Sequence, residues 1–574
     1  MFTHCYTVLA LYSMVLLIFS SSLGTPIFNT DIDTSELIEQ WSNFHEQDFK
    51  GNLQRALMLF NEGNYDSALI LTEKHLQKNP TSGPALEIKG AVLAKSGNTD
   101  EAISVLQTAS ARNPEQSSAI TKIGDIYLAK KDTIKAIDMF KKSLHINSSD
   151  RMAHQRLGLI AEKKHDLQKA IYHFEKGIIG TPTDYIGVKL NLANLYNQIG
   201  DPEKSIVLLK NLITIKNDNP SIFTALGIAL RLKEKTEESA RYLHKSLTLN
   251  PKQASAWYHL AITLKTQGKL NDALSAYNNA LIYSENNPLI KKNIADIYIQ
   301  QKKQDKAASV YESLISENSA DPETFDLLAT LYQTQGKLDK AKNVITSMLQ
   351  KYPDNPISEY KTGTFYAYTE NYEQAIIHLK KAHELAPKNT VILKALSLAY
   401  SRIANYSMAI AAASSIVSIS PENAENLFYL ATLYHDAGKR KEAADIYKTI
   451  LSINPDHAFA LNNLATLLVH DNTSEALRLS RKASELHPDN GSFIDTYGWA
   501  LYKNKNVNDA FRELKKALKL LPENASINYH MGVVYFAKGN KFAARENLQK
   551  ALNISMSFDG ADEANRLLKN CFEH

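Results

Sequence analysis

Side chains able to do chemistry are plentiful in this chain, and their spacing fits none of the familiar reactions. Seventeen histidines and 61 aspartates and glutamates are present, yet there is no HExxH pair, phosphate-cradling glycine loop, nucleophile elbow or CxxC. His378 and His383 stand five residues apart and His165 and His173 eight, which suits neither an i,i+4 metal pair nor a finger. The imidazoles are therefore expected on the solvated surface. Two cysteines, Cys5 and Cys571, add little: one lies in an apolar leader and the other at the far end, so the mature chain would form no internal disulfide. No catalytic, cofactor-binding or metal-ligating set is expected, and the chain reads as a non-enzyme.

The residues that do recur are small ones. Ala68, Ala102, Ala136, Ala170, Ser205, Ser239, Ala273, Ala307, Ala341, Ala375, Ala409, Ala443, Ala476, Ala510 and Ala544 follow one another at about 34 residues, which makes fifteen repeats. Eleven or twelve residues before each stands a second small residue, such as Gly90, Gly124, Gly158, Ala261 or Gly532, and three residues further on a large one, often Tyr127, Tyr196, Tyr298, Tyr332, Tyr366, Tyr400, Tyr434 or Tyr535. Such spacings place the small and large residues on one helical face. Between the two small columns lies a turn marked by Gly63, Gly97, Gly200, Gly268, Gly336, Gly438 and Gly539, suited to a helix C-terminus that needs φ above zero. Thirteen of the seventeen prolines, Pro182 and Pro522 among them, are expected to stop the second helix of a repeat. A tyrosine from the neighbouring helix is expected to fill the notch beside each small residue.

Segments such as AWYHLAITLKTQGKLNDALSAYNNAL and NLFYLATLYHDAGKRKEAADIYKTILSINP resemble the tetratricopeptide repeat (TPR) family, and the likeness runs over about residues 49–558. It implies an all-α, right-handed solenoid of about fifteen helix-turn-helix repeats, with 1–24 as signal peptide or anchor, 25–48 as a lead-in and 559–574 as a capping helix. In that family the first helix of each repeat lines a concave groove that takes protein or peptide partners. The family register brings to the groove Leu190, Asn194 and Asn197, then Tyr258, Ile262 and Lys265, then Lys292, Asp296 and Ile299. Near the C-terminus it aims Asp495, Trp499 and Tyr502, then Tyr529, Val533 and Phe536, the same way. Aromatic faces bind peptides and sugar rings. The same rings serve equally well as packing between adjacent helices. The lysine and asparagine clamp of chaperone-binding relatives has no consistent copy here.

Asn462-Asn463-Leu464-Ala465, Asp495-Thr496-Tyr497-Gly498-Trp499 and Tyr529-His530-Met531-Gly532 also resemble TPR proteins of bacterial exosortase (PEP-CTERM) and exopolysaccharide systems. Val8 to Phe19 is an apolar run followed by Ser20, Ser21, Ser22, Leu23 and Gly24, which reads as a secretory signal cleaved after Gly24, with membrane contact only through residues 8–24 if it stays. Its n-region lacks lysine and arginine, and the cysteine placement of a lipoprotein is absent. Periplasmic, envelope-associated or secreted location is expected. A net charge of +4, from 65 basic and 61 acidic residues, describes a solvated surface and not a phosphate-tracking stripe, so nucleic acid is not an expected partner. The resulting expectation is an exported scaffold, with polysaccharide machinery among its partners. The alternatives are a cytosolic adaptor or cochaperone, and a non-catalytic subunit of a glycosyltransferase complex. Asn147, Asn405, Asn472, Asn524 and Asn553 open Asn-x-Ser stretches that imply glycosylation only where a cell supplies the machinery.

Overall fold

A computed structural model describes residues 47–179, 186–285 and 287–572. The leader, its cleavage site, most of the lead-in and Pro182 lie outside the described residues. Thirty-one α-helices, from α1 (Gln47–Asn61) to α31 (Ala561–Phe572), and no strand are present among the described residues. They form fifteen antiparallel pairs and a final helix, and divide after Ser319 into two compact units. The first unit holds eight pairs; the second holds seven pairs and α31.

All fifteen residues of the alanine and serine column are fully buried. They sit in the first turn of each second helix, where the paired backbones come closest. The opposing notch is filled only in part as expected. A Cβ added at Gly90, Gly124 or Gly363 would come within 2.5 to 2.6 Å of Leu106, Phe140 or Leu379, each four residues beyond the buried alanine of its own repeat. Leucine or phenylalanine from the second helix thus occupies the notch beside these glycines; at the same place in three other repeats stands a fully buried tyrosine, Tyr277, Tyr311 or Tyr447. The tyrosine column lies elsewhere, beneath the start of the second helix, where Lys135, Lys204, Lys306 and Lys340 place their ammonium groups over Tyr127, Tyr196, Tyr298 and Tyr332.

Five residues before the alanine column the chain enters the left-handed region in fourteen of the fifteen repeats. Seven of these positions are the marked glycines; the others are Lys131, His165, Glu234, Lys302, Glu370, Ala404 and Lys505. The exception is the repeat that is one residue short, where α25 (Ala458–Leu468) passes to α26 (Thr473–Leu486) without such a residue. Most of the prolines expected at repeat ends directly follow the C-cap of a second helix: Pro80, Pro114, Pro251, Pro353, Pro387, Pro421, Pro455, Pro488 and Pro522; three do not. Pro220, Pro288 and Pro322 open the next first helix, where a missing N–H leaves no bond unmade. Capping is done by asparagine, aspartate and serine: Ser82, Asp150, Asn219, Asn355, Asn389 and Asn490, among others, accept backbone N–H groups at helix starts. Three of the five Asn-x-Ser asparagines, Asn405, Asn472 and Asn524, are caps of this kind, so helix initiation accounts for the asparagine at those positions.

The core is a series of small clusters, most of them bridging neighbouring repeats, such as Leu243, Tyr258, Tyr277 and Ile294 in the first unit and Ala375, Leu396, Tyr400 and Leu430 in the second. The final helix of the described residues spans Ala561–Phe572.

Candidate functional site

First helices carry the residues assigned to the groove, and the structure divides these into packed and accessible sets. On α27 (Gly491–Lys503) and α29 (Ala525–Ala537) the aromatic group is largely packed. Trp499 is 7% exposed and stacks on His530 at 4.1 Å and on Tyr502 at 5.1 Å, with Lys503 Nζ 4.5 Å from its ring centre. Tyr529 is 2% exposed, because α31 and the segment before it cover the ring: Phe558 packs at 5.6 Å and Tyr529 Oη donates to Glu563 Oε2 at 2.9 Å. Burial and then the Glu563 carboxylate push the Tyr529 phenol well above its usual range. Asp495 is buried and accepts from His530 Nδ1 at 2.9 Å; Val533 is also buried. Tyr502 and Phe536 remain partly exposed. The cluster is thus a stacked wall of α27, α29 and α31 with two accessible rings.

The first-unit set divides likewise. Asn197, on α9 (Ile186–Ile199), is buried and donates from Nδ2 to the Ala225 carbonyl, which ties its helix to the next first helix; Asn194 and Leu190 are half-buried. Tyr258 is buried in the cluster around Tyr277. Lys265, on α13 (Ala254–Thr266), reaches Asp296 on α15 (Pro288–Gln300) at 3.3 Å; Lys292 and Ile262 are partly buried, and Ile299 is exposed. Such cross-repeat pairs recur: Lys122 with Glu87 at 2.8 Å and Arg156 with Asp125 at 2.7 Å are nearly buried, so they fix which helix faces which and present little to a ligand.

Periodicity missed the surface that is both apolar and open. Val391 and Leu398 lie seven residues apart on one face of α21 (Thr390–Arg402), 56% and 49% exposed. Ile357 and Phe459 occupy the place of Val391 two turns ahead of the small residue in α19 (Pro356–Tyr368) and α25, and each is about half exposed. The available signal was an apolar side chain six residues before the small column, where most repeats carry serine, proline or a charge.

Histidines also depart from expectation, since His75, His154 and His259 are buried. His154 Nε2–H donates to the Ser148 carbonyl at 3.1 Å, so its Nδ1 must accept from His173 Nδ1–H at 2.9 Å. Among the described residues no cluster of three or more histidines, cysteines or carboxylates could hold a metal ion. No described helix is long and apolar enough to cross a membrane.

These paired helices with small residues at every close contact define an all-α solenoid of helical repeats. Models described as tetratricopeptide repeat match residues 89–151 and 425–457, one described as TPR repeat matches 498–539, and one described as the TT21 fifth ARM repeats domain matches 291–390. The chain carries tetratricopeptide repeats in both of its units. No curated protein sequence matches it. Among solved structures it is similar to the APC/C hetero-tetramer Cut9-Hcn1, at 14% identity over 74% of this chain and 96% of that one with a TM-score of 0.36. Naa15/Naa10 bound to HypK-THB matches at 15% identity over 91% and 96%, TM-score 0.33. YrrB, a TPR protein with an unusual peptide-binding site, matches at 22% identity over 33% and 98%, TM-score 0.27.

Proposed function

We propose that the chain is an exported scaffold that binds protein partners along the faces of its first helices, in a bacterial envelope system that secretes polysaccharide or sorts surface proteins. The observation that carries the binding part is the apolar surface on first helices of the second unit, where Ile357, Val391, Leu398 and Phe459 stand about half exposed at matching helix positions. An extended peptide laid across successive first helices would cover them, with Tyr502 and Phe536 as accessible rings further along. Export rests on the apolar run Val8–Phe19, and the envelope system on the likeness of residues 462–532 to exosortase-associated proteins.

The test is retention of partners by full-length chain purified from its native cells after fractionation. Leu398→Asp and Val391→Ser should lose partners while keeping the parental melting curve, because both side chains are about half exposed. Trp499→Ala and Tyr529→Ala should destabilise the fold, leaving binding normal in the folded fraction. Parental partner retention by both surface variants would overturn the groove assignment, and an intact Met1 on cytosolic protein would overturn export.

A further inference from the structure

Acidic and basic residues are nearly balanced on most second helices of this chain, and basic ones gather on the last two. α28 (Val507–Leu520) and α30 (Lys541–Ile554) together carry seven lysines and arginines against three carboxylates, a net of +4 that no other two successive second helices reach. Most of the nearby carboxylates are already engaged. Asp509 and Glu513 hold Arg512 at 2.9 and 3.0 Å, Glu513 also takes Lys516 at 2.9 Å, and Glu523, just beyond α28, takes Lys550 at 2.9 Å. Lys515, Lys519, Lys541 and Arg545 are exposed and make no ion pair among the described residues, and only Glu546 stands unengaged on the same two helices.

These cations border a cleft. Phe511, Arg512, Lys515, Lys516 and Lys519 line an open space of about 450 Å³ along α28, so that four cationic groups surround one ring. Phe511 is held there edge-on to Tyr535 of α29 at 5.2 Å, and Lys538 Nζ lies 5.4 Å from its centre. Apolar side chains project from the same two helices. Phe542, which follows Lys541 and stands one turn before Arg545, is 82% exposed, more than any other aromatic ring among the described residues; Leu520 and Leu521, next to Lys519, are exposed as well. A soluble acidic chain would neutralise the ammonium groups and leave these apolar groups in water. The boundary of a lipid bilayer satisfies both, with phosphates against the cations and acyl chains around the apolar groups.

We propose that the surface of α28 and α30 docks on an anionic lipid membrane, with a headgroup phosphate in the cleft beside Phe511 and Phe542 in the interfacial layer. This contact is separate from the apolar run at residues 8–24, and it does not depend on partner binding through Ile357, Val391 and Leu398. Phosphate oxygens accept from several ammonium groups at once, and each lysine or arginine held near an anionic surface adds to an attraction that salt screens.

The test measures partition of the full-length chain into vesicles of equal parts phosphatidylglycerol and phosphatidylcholine, and into vesicles of phosphatidylcholine alone. Residues 8–24 carry no charge and serve both vesicles alike, so a preference for the first reports the cations. The parent should prefer the anionic vesicles about tenfold or more, and less as salt rises. Lys515→Gln, Lys519→Gln, Lys541→Gln and Arg545→Gln combined should remove that preference, whereas Lys515→Arg, Lys519→Arg and Lys541→Arg combined should keep it. Phe542→Ser should weaken binding to the anionic vesicles about threefold or more. All of these side chains are exposed, so each variant should keep the parental melting curve. Equal partition by the parent, an undiminished preference after the four glutamine substitutions, or parental binding by Phe542→Ser overturns the proposal. Release from the vesicles by a matched charge of glycerol phosphate or of a glutamate peptide also overturns it, and gives the cleft to a soluble anion. Leu398→Asp should partition like the parent, so this reading and the partner-binding one fall separately.

Discussion

One buried and one half-buried imidazole, His259 and His173, give the first unit a pH dependence with a definite sign. Burial, and secondarily the Arg231 guanidinium, lower the His259 pKa to about 3. Burial, then His154 and Lys169, lower that of His173 to about 4. Unfolded, both rings would titrate near 6.5, so below that pH the unfolded chain takes up protons that the folded chain refuses. Their contribution is complete above about pH 6.5 and is lost progressively as pH falls toward the folded values. Urea midpoints for the first unit should decline from about pH 6.5 to 5, before most carboxylates titrate. A His173→Asn, His259→Asn variant should show a flatter profile; an equally steep one would assign the decline to other groups. These burials were not legible beforehand, because an isolated histidine at a packed position leaves the same trace in sequence as a surface one. Trp499 and Tyr529 show the converse: their register was legible, but not that α31 would cover Tyr529.

Elements of this chain are set by a few positions whose backbone demands are strict. The alanine column and the turn glycines were legible because sterics leaves almost no alternative at a close helix contact or a left-handed turn. Half of the left-handed positions escaped notice, since Lys131, Glu370 and Ala404 tolerate a strained turn that the packed helices on both sides enforce. The notch partner was legible only in part: beside the glycines it is leucine or phenylalanine four residues past the alanine, whereas Tyr277, Tyr311 and Tyr447 take that place in three other repeats. The conformations yield a paired prediction. Ala404, at φ 57°, carries a Cβ that this region disfavours, so Ala404→Gly should stabilise by about 1 kcal/mol, less some gain in unfolded-chain entropy. Gly438→Ala, at φ 73°, should destabilise by about the same amount. Equal midpoints for parent and both variants in urea unfolding would show that the turn does not hold these angles in solution.

At the scale of the whole molecule, stability is distributed over interfaces between neighbours, because most core clusters join adjacent repeats. A defect should therefore be felt locally first. Ala375, fully buried in the first turn of α20 (Tyr372–Leu385), faces Gly363 of α19, whose added Cβ would already lie 3.1 Å from the Ala375 carbonyl. Ala375→Leu forces three more carbons into that contact and should destabilise by about 1 to 3 kcal/mol, as overpacking does. Amide exchange should rise in α19 to α22 (Tyr406–Ile419), where the cluster containing Ala375, Leu379, Tyr400 and Ala413 lies, while the helices of the first unit keep parental protection. Uniform loss of protection through both units would mean that the chain melts as one cooperative body. That outcome would remove the neighbour-by-neighbour account of its stability, and with it the expectation that surface variants on one unit leave the other intact.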